Sequence, residues 1–236
     1  MSEPTRIRLR FTKVGKIRFI GHRDVAKLWE RALRKGTISM AYSEGFSPRP
    51  KVHFGLALPT SAQSLAEYID VDVASHVDVV ELPSRLSPHL PVGMDVTAAR
   101  VISRSAEALQ AAVTSCSWKI RLHGVELSKI GHSVTTIMDS HSCVLTIDRK
   151  GKSLDYDIRP SITALTVTSG HDGVVELNTE LATKPRGIRP LELLRALDVP
   201  DVYYDVERLA QWITIDGQRS EPIPLAPSHD HLVEVV

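Results

Sequence analysis

Arg6-Ile7-Arg8-Leu9-Arg10-Phe11, followed by Val25-Ala26-Lys27-Leu28-Trp29-Glu30-Arg31-Ala32-Leu33, sets the fold class of this chain. The first run alternates basic and apolar residues. That is the period of a half-buried strand, with Ile7, Leu9 and Phe11 toward a core and three arginines on the opposite face. In the second run Val25, Leu28, Trp29, Ala32 and Leu33 fall at i, i+3, i+4, i+7 and i+8, one face of a helix over His22 to Lys35. Glu30 and Arg34 form an i, i+4 pair in the favourable order, and Gly36 marks the stop. Between strand and helix, Val14-Gly15 predicts a bend and Lys16 to Ile20 an extended segment with Ile17 and Phe19 inward.

Ile38 to Tyr42 reads as short and extended. Ser43-Glu44-Gly45-Phe46-Ser47-Pro48-Arg49-Pro50 is a loop, because its prolines exclude an interior strand or helix. Val52 to Leu58 and Tyr68 to Val73 read as strands, Val79 to Leu90 as a short helix frayed by Pro83 and Pro88, and Met94 to Ile102 as a strand. The order β-α-β-β-α-β is the ferredoxin-like plan. After an Ala- and Ser-rich stretch the pattern returns. Trp118 to Leu122 alternates, and Leu127 to Met138 fits a helix. Hairpins follow over 143–158, around Arg149-Lys150-Gly151-Lys152, and over 164–178. Arg189-Pro190 opens a further helix, and Val206 to Ile215 closes as a strand. The expected fold is therefore α+β, with two diverged ferredoxin-like (βαββαβ) lobes. Residues 1–103 are a basic lobe, 104–115 a linker or short helix, 116–216 a second lobe and 217–236 a poorly ordered tail.

Apolar residues make up 42% of the 236 and charged residues 24%, ordinary values for a globular protein. No run is long and apolar enough for a membrane span, and the amino terminus lacks the apolar core of a signal peptide. Cys116 and Cys143 build no disulfide framework. A cytoplasmic protein without a membrane role is expected. The net charge of +1 hides an asymmetry: residues 1–51 hold 13 Lys+Arg against 4 Asp+Glu, leaving 16 against 24 for the rest. Either the basic segment presents an electrostatic face, or the acidic remainder folds against it and neutralises it.

No Gly-rich dinucleotide fingerprint or phosphate loop occurs, so no nucleotide cofactor is expected. His141-x-Cys143 and His229-x-His231 are each half a metal site, and no metal is expected. Asp155 and Asp157 share a strand face with Arg159, as a cation pair or, more simply, as a solvated face. In the loop, Phe46 or Tyr42 could stack on a base while Arg49 and Lys51 meet phosphate, or the aromatics could pin the loop to the core. His22 and Asp24 are the weak catalytic candidates. Histidine there could act as a general acid–base, but Asp24 in a first helical turn and a packed His22 also make an ordinary helix start.

Gly15-Lys16-Ile17-Arg18-Phe19-Ile20-Gly21-His22-Arg23-Asp24, Glu30-Arg31-Ala32-Leu33-Arg34, Ala41 to Lys51 and Glu67-Tyr68-Ile69-Asp70 together resemble a bacterial domain of unknown function linked to radical S-adenosylmethionine proteins. Arg149-Lys150-Gly151-Lys152 with Asp155 or Asp157, Arg159-Pro160 and Gly187-Ile188-Arg189-Pro190 extend the resemblance over about residues 5–215. The chain departs from the family where Gly21-His22-Arg23-Asp24 replaces Ser-His-Leu-Asp and where Lys35-Gly36 replaces a small residue with glycine. It also lacks the three-cysteine cluster motif of the radical enzymes themselves. The resemblance implies a partner of RNA or ribonucleoprotein, or a radical S-adenosylmethionine enzyme. The expected function is a non-catalytic RNA-binding module, with Arg18, Arg23, Arg31, Arg49 and Lys51 at phosphates and Tyr42 or Phe46 at a base or sugar. The alternatives are a docking partner of the radical enzyme and a metal-independent endoribonuclease using His22.

Overall fold

The alternating residues 6–11 form an interior strand, second from one edge of a sheet that takes strands from both halves of the chain. The computed structural model describes residues 4–149, 151–199 and 202–223. In chain order its elements are β1 (Thr5–Lys13), α1 (His22–Lys35), β2 (Val52–Phe54), β3 (Gln63–Val73), α2 (Leu82–Leu86), β4 (Val96–Ile102), α3 (Leu109–Ala112) and β5 (Ser115–Leu122). They continue with α4 (Leu127–Asp139), β6 (Val144–Arg149), β7 (Lys152–Asp157), β8 (Ile162–Ser169), β9 (Val175–Ala182), α5 (Pro190–Ala196), β10 (Tyr204–Ile215) and β11 (Gln218–Ser220).

A mixed nine-stranded sheet runs β4-β1-β3-β10-β5-β9-β8, with β2 added to β3 and β11 to β10, while β6 and β7 form a separate hairpin. Every pairing in the large sheet is antiparallel except β3 with β10, a short parallel contact at Glu207–Gln63 and Arg208–Ser64. That contact joins the two halves edge to edge, and each half keeps its own core. Ile7, Leu9, Phe11, Trp29, Leu33, Ile69 and Val71 cluster under α1 and α2, and Phe11 meets Trp29 edge-on at 4.9 Å. Trp118, Ile120, Leu122, Ile130, Leu177 and Leu193 cluster under α4 and α5. Glu67 and Arg208 meet across the seam, so the helices of both halves lie on one face of the sheet. On the opposite face of the first half, Leu109 of α3 and Ile223 pack on Ala66 and Tyr68.

The helix forms at the expected residues, with Val25, Trp29, Ala32 and Leu33 buried. Three segments differ from the sequence pattern. Gly15–Phe19 is a 3-10 turn because Lys13 turns its Nζ inward and donates to the carbonyls of Arg18 at 3.2 Å and Ile20 at 3.1 Å; Phe19 is left exposed. Ile38 to Tyr42 makes only isolated bridges, at Met40 and Tyr42, and the strand expected over 52–58 stops at Phe54. Within the stretch expected as a tail, Gln218–Ser220 pairs with β10 and Ile223 is buried. Residues 224–236, with His229 and His231, lie outside the described residues, as does Lys150 of the basic turn.

Gly93 fixes the strand entering β4. Its φ is +92°, and a Cβ there would stand 2.1 Å from the carbonyl oxygen of Val14, whose N–H donates to Gly93 at 2.8 Å. Gly93→Ala is expected to lower stability by about 1–3 kcal/mol through left-handed backbone strain, with the clash added. A urea midpoint equal to that of wild type contradicts this.

Candidate nucleic-acid interface

The three strand arginines are the first test of the basic segment. Arg6 donates to Asp72 at 2.7 and 3.2 Å, and Arg8 to Asp70 at 2.8 and 2.9 Å. Arg10 donates to the Tyr68 hydroxyl at 3.3 Å, to Thr97 at 3.3 Å and to Glu221 at 3.4 Å. Two carboxylates of β3 and Glu221 thus neutralise the strand part of the positive excess. Burial pushes the Asp72 carboxyl up, but the Arg6 hydrogen bond and nearby cations outweigh this and hold it below its ordinary value.

The helix part stays open. Arg23, Lys27, Arg31 and Arg34 fall at i, i+4, i+8 and i+11, one stripe of α1, and all four are exposed. Among the described residues, only Lys27 of these has an ion-pair partner, Asp24 at 3.5 Å. Asp24 is therefore a first-turn carboxylate with a local partner, and no hydrogen bond or ion pair joins it to His22 among the described residues. His22 sits edge-on to Phe54 at 4.8 Å, over a cavity lined by Phe11, Lys13 and Glu67. Arg18 is engaged elsewhere: its guanidinium donates to Asp205 at 2.9 Å and to the Tyr203 hydroxyl at 3.4 Å.

The proline loop is short and braced at its neck. Tyr42 bridges Pro50, the Ser43 N–H donates to Arg49 O at 2.9 Å, and the Arg49 N–H donates to Ser43 Oγ at 3.0 Å. Phe46 at the tip is fully exposed, at 110% of its reference area, and Tyr42 is half-exposed at 47%. Phe46 therefore does not pin the loop to the core. Arg49 is exposed, while Lys51 is half-buried and lies in backbone contact with Ala41 and Asp72. No hydrogen bond, ion pair or ring contact joins this loop to the α1 stripe among the described residues.

Sequence reasoning missed one cluster at the seam. Asp205 accepts from Arg18 and, at 3.2 Å, from the Tyr203 hydroxyl. His123 Nε2 lies 3.4 Å from the other Asp205 oxygen, and the His123 ring lies 4.9 Å from that of Tyr203. Tyr203 and Asp205 are near neighbours in sequence, but the pairing of β5 with β10 brings His123 to them and Arg18 reaches them from the first half. Cys116 is a buried thiol whose pKa burial pushes up to about 11, so it is protonated at neutral pH and a poor nucleophile. Among the described residues no group of three or more His, Cys, Asp or Glu could hold a metal ion, and no helix is long and apolar enough to cross a membrane.

A mixed α/β chain with a large sheet and an exposed basic, aromatic-tipped loop is the class defined by these observations. Residues 6–190 match the family DUF2344, described as an uncharacterized protein conserved in bacteria, and the chain belongs to that family. No curated protein matches it. Among solved structures it is similar to an unknown protein from Galdieria sulphuraria, at 11% identity and a TM-score of 0.27, over 87% of this chain and 99% of that one.

Proposed function

We propose that this protein is a non-catalytic RNA-binding module of the bacterial cytoplasm, serving an RNA-processing enzyme or a radical S-adenosylmethionine enzyme. Its contact surface is the loop from Tyr42 to Lys51 together with the α1 stripe, with Phe46 stacking on a base and Arg23, Arg31, Arg49 and Lys51 meeting phosphates. Arg18, paired with Asp205, contributes less. The observation that carries this reading is the complete exposure of Phe46 on a braced loop that also carries Arg49, exposed and without an ion-pair partner among the described residues. A large aromatic left in water gains free energy when a base covers it. The sheet face of the first half, a stacking platform in other RNA-binding folds, is closed here by Leu109 and Ile223, which favours the loop. The strand orders β4-β1-β3-β2 and β10-β5-β9-β8 support reading the halves as two ferredoxin-like lobes, the second with β6 and β7 inserted.

Fluorescence anisotropy with single-stranded oligouridylate tests the proposal. Phe46→Ala is expected to weaken binding by about 1–3 kcal/mol with an unchanged melting temperature, because the ring packs on nothing. Arg23→Glu with Arg31→Glu should also flatten the salt dependence. Equal affinity of Phe46→Ala and wild type overturns the stacking role, and a wild-type protein that binds no RNA overturns the function.

A further inference from the structure

The second half of the chain is acidic overall, yet one stretch reverses the sign. Lys184, Arg186, Arg189 and Arg195 stand against Glu192 alone between residues 183 and 196. The fold gathers three of these basic residues at a groove between the β6–β7 hairpin and α5. Ile147 and Leu191 give it apolar contact, and Arg186, Arg189, Glu192 and Arg195 give it charge. Arg186 is held in place: its guanidinium lies 4.3 Å over the Tyr156 ring and 3.5 Å from Glu192. Glu192 is itself fixed by the Arg189 N–H at 2.8 Å.

The contrast with other cations of this half is informative. Lys119 and Arg121 pair with Glu176, and Arg219 with Glu180. Arg189 and Arg195 are exposed and have no ion-pair partner among the described residues. The groove thus holds three guanidinium groups and one carboxylate. Three guanidinium groups against a single carboxylate along one wall suit an extended polyanion better than a single ion. Planar guanidinium, one of them stacked on an aromatic ring, suits phosphate in particular.

We propose that this groove is a second phosphate site, which takes the backbone of the RNA strand held by the first half. The proposal rests on the RNA reading above. Arg189→Glu with Arg195→Glu tests it, since two exposed, unpaired side chains can change without loss of fold; Arg189→Gln with Arg195→Gln serves as the milder second variant. Affinity for oligouridylates of about 8 and about 30 nucleotides is measured across salt. For the longer strand both variants should bind more weakly. The slope of log affinity against log salt should fall by about 1.4, two contacts at roughly 0.7 each, while the shorter strand is less affected. An unchanged slope on the longer strand, with Phe46→Ala still weakening binding, overturns the groove and leaves the RNA reading standing. No RNA binding by the wild-type protein overturns both. Tighter binding of polyglutamate than of oligouridylate, lost in the variants, overturns phosphate as the ligand and makes the groove a site for acidic protein.

Discussion

Arg208→Ala is expected to lower the stability of the protein by about 3–5 kcal/mol, the cost of removing one partner from a buried ion pair. Arg208 is 2% exposed. It donates to Glu67 at 2.8 Å, to the carbonyl of Leu56 at 3.2 Å and to that of Ala57 at 2.9 Å, and it lies 4.7 Å over the Trp118 ring. Alanine would leave two carbonyls and a carboxylate whose side chain is only 10% exposed without these donors. The position also matters. Arg208 belongs to β10 and Glu67 to β3, and these strands share only two paired positions, so side-chain bonds such as this one and that from Gln211 to the Ala66 carbonyl, at 2.6 Å, hold the seam. Urea unfolding should therefore show a lower midpoint and, if the seam opens first, two transitions in place of one. Glu67→Gln keeps an acceptor for the guanidinium and should cost about half as much. A midpoint within experimental error of wild type for Arg208→Ala overturns this account of the seam.

Residue patterns reveal each half better than their junction. Helix α1 was legible from Val25 to Leu33 because one amphipathic period runs unbroken through it, and the hairpins were legible from their turn residues. Junction residues carry no such signal. Arg208 shares the inward side of β10 with Val206 and Gln211, and nothing local marks it as the partner of Glu67. Lys13 shows the same limit from another side. It occupies an inward position of an alternating strand and turns the next residues into a 3-10 bend through two carbonyl contacts, so an extended reading of Lys16 to Ile20 fails. At the candidate interface the residue types of the loop were legible, but the exposure of Phe46 was not. Stacking on RNA and packing on the core need the same residue there, and the fold separates them. Charge counting behaved similarly. The excess in residues 1–51 was real, but its division between neutralised strand and open helix depends on β3 lying beside β1.

That division leads to the second large effect. Asp70→Ala is expected to cost about 3–5 kcal/mol, because it strands Arg8 in the sheet. The pair is two-pronged, with side chains 6% and 5% exposed. On its other side Arg8 lies opposite Arg100 of β4, a like charge across the strands that loss of Asp70 would leave uncompensated. Asp72→Ala should cost less, since Arg6 keeps 20% of its side chain in water and can hydrate when unpaired. Asp72 contributes a pH dependence of its own. Its carboxyl is held below the ordinary 3.8, so its share of stability is complete above that value and fades as the pH falls through the lowered one. In Asp72→Ala the loss of stability on acidification should be correspondingly shallower. Arg8→Met combined with Asp70→Leu removes both charges and should recover most of what Asp70→Ala loses, since an apolar pair of similar volume often replaces a buried ion pair without penalty. If the double variant is no more stable than Asp70→Ala, the loss comes from packing around Asp70, and the stranded charge of Arg8 is not its cause.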